Sequence, residues 1–146
     1  MKLLFFCPRW GSEAFNWESF CKQVREAGFD GVEAGVPFEE HERAEMQRAL
    51  SKYQLQFIGQ YWQSFEKDFT AHKNSYITHL HHLAQLKPIK IDAQTGKDYF
   101  SPEQNKELFE AASAFTQETG IPVAHETHRN KALFAAHVSM QLLLQN

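Results

Sequence analysis

The sequence lacks the features that mark several classes of protein. It has no run of lysine or arginine that could follow a phosphate backbone, and its 15 basic and 18 acidic side chains are mixed along the chain. The formal charge of −3 also argues against a nucleic-acid partner. No apolar stretch approaches the ~20 residues of a membrane span. The apolar run at residues 3–6 is too short for an export signal and predicts a first strand instead.

Cysteine is scarce, since the chain has only Cys7 and Cys21. One is predicted on a strand and the other on a helix, and a reduced, cytoplasmic protein fits this usage best. No linker or low-complexity tract divides the chain, and its 146 residues suffice for one core but not for two domains. We therefore expect one domain spanning residues 1–146, without membrane contact.

Strand-like and helix-like segments alternate along the chain. The predicted strands cover residues 3–7, 31–36, 55–61, 89–92 and 121–126. Each is followed by apolar residues at helical spacing, which predicts a helix with one buried face. The five predicted stripes are Trp17, Phe20, Cys21, Val24 and Ala27; Met46, Ala49, Leu50 and Tyr53; Tyr76, Ile77, Leu80, Leu83 and Ala84; Leu108, Ala112 and Phe115; and Leu133, Ala136, His137 and Met140.

Capping residues support two of these helices. Ser101, Pro102 and Gln104 supply an N-cap, a proline at the first helical position and a capping-box partner. Gly28 and Gly120 stand where helix C-termini favour glycine. These residues predict where the two helices begin or end, which the apolar spacing does not define.

The repeat length points to a barrel. The strand starts lie near residues 2, 31, 56, 88 and 121, about 30 residues apart on average, which is the size of a βαβ repeat. Three more such units would approach the ~250 residues of a TIM barrel. The sequence predicts a partial (β/α)8 barrel with about five parallel strands and five helices, incomplete at its C-terminus. A five-stranded open flavodoxin-like sheet is the competing architecture.

Reactive groups in parallel β/α proteins gather at the carboxyl ends of the strands, and polar and aromatic residues follow the predicted strands here. They are Arg9 and Trp10 after strand one, Glu33 in strand two, Gln60, Tyr61 and Trp62 ending strand three, residues 94–99 after strand four and residues 125–130 at the end of strand five. His79, His81 and His82 lie on the third predicted helix, away from these ends, so we expect an ordinary helix surface there.

Three segments resemble a known family. They are Ala-Gly-Phe-Asp-Gly-Val-Glu at residues 27–33, Thr-Gly-Lys-Asp-Tyr-Phe at 95–100 and His-Glu-Thr-His-Arg at 125–129. In this order, across the whole chain, they resemble the xylose-isomerase-like sugar phosphate isomerase/epimerase barrels. The resemblance implies that Glu126 is a divalent-metal ligand and, as in the epimerase branch, also moves a proton.

The resemblance also implies a divalent metal, namely Mn, Mg, Co or Zn, in a complete member of the family. Such a member has further ligands on strands six to eight, so metal binding by this chain alone is expected to be weak or absent. The residues predicted to bind substrate are Trp10, Glu33, Gln60, Tyr61, Lys97, Asp98, His128 and Arg129.

Each of these residues also has an ordinary structural role open to it. Glu126 can form a surface salt bridge, and Glu33 can face either layer of the fold. The aromatic residues Trp10 and Tyr61 can be packing residues. Lys97 and Asp98 can serve only a turn, and His128 and Arg129 can contact neighbouring loops.

Three functions remain open from the sequence. The first is a sugar or sugar phosphate isomerase/epimerase that transfers a proton or hydride beside a carbonyl, incomplete as a lone chain and completed by a C-terminal half. The second is a non-catalytic half-barrel that forms a homo-oligomer through its open strand edges, in keeping with the 14% aromatic content. An AP-endonuclease-like enzyme ranks last, because the chain shows neither a multinuclear zinc site nor a basic surface.

Overall fold

The computed structural model describes residues 2–63 and 65–144, in which five strands alternate with five helices. This alternation confirms the predicted strand-then-helix units. The elements are β1 (Phe6–Pro8), α1 (Trp17–Glu26), β2 (Gly31–Ala34), α2 (Glu40–Lys52), β3 (Gln56–Tyr61), α3 (Phe69–Ala84), β4 (Lys90–Ala93), α4 (Pro102–Thr119), β5 (Val123–His125) and α5 (Ala136–Leu144).

The described strands form one parallel sheet in the order β1-β2-β3-β4-β5. Each strand therefore lies beside the strand that follows it in the chain. A flavodoxin-like sheet places β1 between β2 and β3, whereas here β1 pairs with β2 alone among the described residues. The order confirms the partial (β/α)8 barrel and rules out the flavodoxin-like alternative.

The first and last strands are shorter than predicted. β1 was expected over residues 3–7, but its pairing begins with Phe6 opposite Gly31. Before that point, Asp30 holds Phe5, accepting its N–H on Oδ2 at 2.9 Å and donating its own N–H to the Phe5 carbonyl at 2.8 Å. β5 was expected over residues 121–126, but the strand itself covers only Val123–His125. Within the described sheet each of these two strands has one neighbour, so its ladder ends sooner.

Four helices bury most of the stripes that their spacing predicts. The prediction is wrong for Ala27, which is exposed because α1 ends at Glu26 and Ala27 is its C-cap. Tyr53, Ile77 and Ala84 are half-buried. The buried positions include Trp17, Phe20, Cys21 and Val24 on α1; Met46, Ala49 and Leu50 on α2; Tyr76, Leu80 and Leu83 on α3; and Leu108, Ala112 and Phe115 on α4. They pack on alternate strand residues, chiefly Val32, Ala34, Phe57, Ile91 and Ala93. The core therefore lies between the sheet and its helices.

The predicted helix signals on α4 are confirmed. Ser101 accepts the backbone N–H of Gln104 while the Gln104 side chain accepts the backbone N–H of Ser101, which completes the capping box. Gly120 ends the helix at φ 73°, in the left-handed region where glycine carries no steric penalty. Cys7 and Cys21 are both free thiols.

The prediction for the last helix is wrong in its buried face. Ala136, His137 and Met140 are exposed, and Met140 keeps 56% of its surface. Leu133 precedes the helix. The reason is that no described element covers this side of α5. In the described part of the chain, no helix is both long and apolar enough to span a bilayer.

Candidate active site

The sheet has one face toward the helices and one away from them, which we call the inner face. Strand register sets Glu33, Ile58 and Lys90 side by side on the inner face. Gln60 and Asp92 share the next row toward the carboxyl ends. Since strand side chains alternate, the intervening residues point into the helix layer.

Three carboxylates from different strands approach one another on the inner face. Burial raises the pKa of Glu33 first, and the carboxylates of Asp92 and Glu126 raise it further, while Lys90 opposes them. Lys90 donates to both Asp92 oxygens, at 2.8 and 3.0 Å. Glu33 therefore keeps a proton to higher pH than an ordinary glutamate does, whereas Asp92 is held by a cation.

Glu126 directly follows β5 and lies at the carboxyl edge of the sheet. Its backbone N–H donates to the Ala93 carbonyl at 3.0 Å, which continues the pairing with β4 by one residue. Its Oε2 accepts Nε2–H of Gln94 at 3.3 Å. The side chain is half-buried, so the carboxylate is both oriented and open to a small molecule.

A cleft of about 580 Å³ opens beside these residues, at the carboxyl ends of the first strands. Trp10 donates its indole N–H to Gln60 Oε1 at 2.9 Å, and the Trp10 ring is 64% exposed. The lining side chains include Arg9, Trp10, Gln60, Trp62, Gln63 and Gln94. Exposed indole faces beside amide groups offer stacking and hydrogen bonding, which suit a compact polyhydroxyl ligand.

Arg9, the basic residue that lines this cleft, is held by contacts within the fold. The Arg9 guanidinium lies over the rings of Trp17 and Phe20, 4.6 and 4.5 Å from their centroids, and donates to the Phe15 carbonyl. Burial lowers the pKa of Arg9. Glu13 and Glu42 also line the cleft, so this side of the site does not favour an anionic group.

The structure brings some of the predicted site residues together and separates others. Trp10 and Gln60 line the cleft. Tyr61 is 0% exposed, and its ring packs on Tyr76 and His79 at centroid distances of 5.2 Å. Because Gln60 points inward, its neighbour Tyr61 must point to the helices. Tyr61 is therefore a core residue rather than part of the cleft.

The remaining predicted residues lie in the loops after β4 and β5. Lys97 is half-buried, whereas Asp98 and Arg129 are exposed. Asp98 lines a separate cavity beside the start of α4. His128 is half-buried, and its Nδ1 lies 2.8 Å from the Arg129 carbonyl. The lining of the 580 Å³ cleft includes none of these four loop residues.

Lys90 and Asp92 are inner-face residues that the sequence analysis did not select, whereas it noted Gln94 only as part of the segment after strand four. Their signal was the alternation Lys-Ile-Asp-Ala-Gln at residues 90–94, which places the three polar side chains on one face. The sequence analysis instead selected the neighbouring Thr-Gly-Lys-Asp-Tyr-Phe motif at residues 95–100. A short strand therefore carries much of the polar inner face.

The described residues do not contain a metal site by themselves. Among residues 2–63 and 65–144, no three His, Cys, Asp or Glu side chains lie close enough together to hold a metal ion. The three clustered histidines of α3 have separate contacts: His79 Nδ1 lies 2.7 Å from the Ser75 carbonyl, His82 stacks on Phe38, and His81 packs on Phe115. They serve the packing of α3.

Comparison with solved structures finds the same fold in other proteins. The probable 3-DHS dehydratase AsbF of Bacillus anthracis, involved in petrobactin synthesis, gives a TM-score of 0.66 at 20% identity over 98% of this chain and 59% of that chain. The carboxyl transferase domain of Rhizobium etli pyruvate carboxylase gives 0.59 at 14% identity over 88% of this chain and 22% of that chain. No family model and no curated protein matches the chain.

The chain thus spans about three-fifths of the length of the dehydratase that it resembles. At identities of 20% and 14%, the structural likeness shows a shared fold alone. The same architecture serves a dehydratase and a carboxyl transferase, so the fold does not choose the reaction. The choice has to come from the inner-face side chains.

Proposed function

We propose that the chain supplies the substrate-facing part of a sugar-processing barrel enzyme, in which Glu126 transfers a proton beside a carbonyl group. The observation that carries this proposal is the set of inner-face carboxylates at the carboxyl side of the sheet. Glu126 is oriented there by Gln94 at 3.3 Å, and burial raises the pKa of Glu33 deeper on the same face. Carboxyls with different environments are suited to different roles in acid–base chemistry.

Isomerisation, epimerisation and dehydration of hydroxycarbonyl compounds can all begin with removal of a proton next to a carbonyl. A positioned carboxylate can perform this step. Glu126 is the residue that the family resemblance assigns to it, and the likeness to a dehydratase supports the same class of chemistry. Sugar or sugar phosphate isomerase/epimerase activity is the specific form that we propose.

The divalent metal of complete family members would polarise the carbonyl when bound. The described residues do not fit such a metal on their own, since Glu126 is not part of a cluster of three ligand side chains among them. Further donors would have to come from outside the described residues. The proton transfer by Glu126 is therefore derived without the metal.

Hydrogen exchange with solvent tests this proposal directly. The purified chain is incubated in D₂O with Mn²⁺ or Mg²⁺ and a panel of ketoses and their phosphates, and deuterium entry is followed by NMR. We expect exchange that falls about 10²- to 10⁴-fold in Glu126→Gln, the usual contribution of a general base. Glu118→Gln, on the exposed surface of α4, is the matched control.

Two outcomes contradict the proposal. Exchange that is equally fast in Glu126→Gln removes Glu126 from the reaction. Absence of exchange with every sugar rules out catalysis by this chain alone.

A second candidate function is self-association of a non-catalytic half-barrel. It is favoured by the edge of β1, which pairs only with β2 in the described sheet. Leu3 and Phe5, just before this strand, are 66% and 58% exposed. Open strand edges with apolar neighbours favour pairing with another chain.

Sedimentation velocity tests this second function. We expect a concentration-dependent dimer that Phe5→Lys weakens, because a charge opposes edge pairing. Phe38→Lys, on an exposed aromatic of the helix side, is the control for a lost surface ring. A monomer at all concentrations contradicts self-association.

A further inference from the structure

Two glutamine side chains line the cleft at the carboxyl ends of the strands, although both are buried. Gln60 is 4% exposed and Gln94 is 7% exposed. Each uses only half of its amide group within the protein: Gln60 Oε1 accepts the Trp10 indole N–H at 2.9 Å, and Gln94 Nε2 donates to Glu126 Oε2 at 3.3 Å. Buried amides normally satisfy both their donor and their acceptor groups. Gln60 Nε2 and Gln94 Oε1 are therefore left for another partner.

These two groups are open to the cleft. In the part of the chain that the structure describes, neither has a hydrogen-bond partner, and neither is among the side-chain atoms that are sealed from solvent without one. Both can therefore reach a molecule in the cleft, whose volume is about 580 Å³. The cleft offers one amide donor and one amide acceptor from side chains that are themselves held in place.

Strand pairing fixes the two amides relative to each other. Gln60 lies opposite Asp92 in the register of β3 and β4. Beyond β4, the Gln94 N–H donates to the Tyr61 carbonyl at 2.9 Å, which continues the same ladder. Since side chains alternate along a strand, Gln94 shares the inner face with Asp92 and lies one row beyond Gln60. Neighbouring rows on adjacent strands place both amides within reach of one small ligand.

The unused groups indicate the chemistry of this ligand. A hydroxyl group both accepts and donates a hydrogen bond. Two neighbouring hydroxyls of a sugar can therefore accept from Gln60 Nε2 and donate to Gln94 Oε1. A phosphate dianion or a carboxylate has no proton to donate to the Gln94 oxygen, so an ionised group satisfies only one of the two amides.

The charges around the cleft also oppose an anion. The carboxylates of Glu13 and Glu42 line it, and Arg9 is the only cation among the described lining residues. The Arg9 guanidinium lies over Trp17 and Phe20, 4.6 and 4.5 Å from their ring centroids. Within the described residues Arg9 Nη1 has no partner, but that atom is sealed from solvent. A phosphate group in the cleft would therefore face two carboxylates without an accessible cation.

We propose that the cleft binds an unphosphorylated sugar, and that Gln60 and Gln94 select it by holding two neighbouring hydroxyl groups. The exposed rings of Trp10 and Trp62 also line the cleft and offer apolar faces to the C–H groups of the sugar. The role of this sugar as a substrate rests on the function proposed above, whereas its binding does not.

Gln94 has a second role, because its amide adjoins both the cleft and Glu126. Its Nε2 holds the Glu126 carboxylate while its Oε1 is open to the ligand. A sugar hydroxyl bound to this amide therefore lies beside the Glu126 carboxylate. Gln94 is thus a positioning residue for the proton transfer, whereas Gln60 acts on binding alone.

Saturation-transfer NMR titrations test the binding without any catalysis. The probes are D-fructose, D-tagatose, D-xylulose and D-ribulose, each compared with its terminal phosphate ester. We expect at least one free sugar to bind, and its phosphate ester to bind with an affinity lower by about tenfold or more. Gln60→Met and Gln94→Met should each weaken binding of the free sugar about tenfold or more, since a sugar hydroxyl loses its partner. Gln23→Met, on the exposed surface of α1, is the matched control.

Deoxy analogues of the sugar that binds test the same contacts from the ligand side. They are titrated into the unmodified chain, so this test does not depend on the folding of a variant. Removal of either of two neighbouring hydroxyls should lower the affinity about tenfold, and removal of the others should change it little. Gln60→Met should no longer distinguish the analogue that lacks the first hydroxyl, and Gln94→Met the analogue that lacks the second.

The deuterium-exchange assay described above separates the roles of the two glutamines. Gln60→Met should raise KM and leave kcat nearly unchanged, because it removes binding alone. Gln94→Met should also lower kcat, because the Glu126 carboxylate loses its orientation. An effect on KM alone in both variants removes the positioning role of Gln94.

Several results overturn the proposal. They are equal sugar affinity in the glutamine variants and the control, phosphate esters that bind as tightly as the free sugars, and no binding of any probe in the millimolar range. Sugar binding without proton exchange leaves this inference standing and removes the proposed catalysis. Proton exchange that occurs only with phosphate esters does the reverse.

Discussion

The two faces of the sheet are built from alternate residues of the same strands, yet they have different chemistry. On β4, Ile91 is fully buried under the helices, while Lys90 and Asp92 on either side form an ion pair on the inner face. On β3, Tyr61 is in the core and Gln60 holds Trp10 at the cleft. The outer face stabilises the fold, and the inner face is free to carry a site.

The largest difference in unfolding free energy is expected between substitutions on the outer and inner faces of the sheet, at two adjacent residues. Ile91→Ala should lower the free energy of unfolding by about 2–5 kcal/mol, because it leaves a cavity in a packed core. Asp92→Asn keeps the size of its side chain and should cost far less, since its partner Lys90 is partly exposed. Urea denaturation measures both. Equal costs would mean that the inner face carries as much stability as the outer face.

His125 provides a second test of the difference between the two faces, because it is a titratable residue on the outer face. Its Nδ1 lies 2.8 Å from Thr95 Oγ1, and its ring packs on Phe109. Burial lowers its pKa from 6.5 to about 4 in the folded protein. The unfolded chain therefore takes up this proton more readily, so stability present above pH 6.5 should be lost as the pH falls toward 4.

The loss of unfolding free energy at low pH should reach roughly 3 kcal/mol. His125→Gln should remove most of this pH-dependent loss. Urea denaturation at several pH values measures the difference between the two proteins, which separates His125 from carboxyls such as Glu33. His41→Gln, on the exposed surface of α2, controls for loss of a histidine. Parallel pH profiles for the unmodified chain and His125→Gln would refute the assignment.

The helix layer should also respond to a change in local sequence. Ser101→Ala removes the acceptor for the Gln104 N–H and should cost about 0.5–2 kcal/mol of unfolding free energy. Ser113→Ala makes the same chemical change at an exposed position within α4 and should be nearly neutral. Thermal and urea unfolding compare the two. A similar cost for both would show that the cap contributes nothing of its own.

The smallest effect on stability is expected at the cleft. Trp10→Ala removes a large ring, but the ring is 64% exposed, so the free energy of unfolding should change by about 0.5 kcal/mol or less. Its contact with Gln60 predicts weaker binding of an uncharged sugar instead. Trp17→Ala, on the buried face of α1, should be strongly destabilising. Comparable stability losses would place Trp10 in the core.

Much of the fold could be predicted from the sequence, because its signals are local. The buried stripes of α1 to α4, the capping box at Ser101 and the C-cap at Gly120 depend on residues within a few positions of one another. The face of α5 could not be predicted in this way. Apolar spacing shows which residues can share a face, but a neighbouring element decides whether that face is buried.

The site was predicted less completely, because side-chain direction and long-range contacts decide it. The resemblance selected Glu126, whose catalytic role stays a prediction, and alternation along β3 could have moved Tyr61 from the cleft to the core. Asp92 gave no motif signal. Its significance comes from Glu33, a neighbour that lies far along the chain.

The sequence by itself determined the repeated β/α units, their approximate bounds and the caps that end them, since these depend on propensities and short-range hydrogen bonds. Only the tertiary structure decided the order of the strands, which distinguishes a partial barrel from an open sheet. It also decided which polar residues meet on the inner face and in the loops. Strand pairing brings residues from five separate units to one edge, and local sequence does not record that proximity.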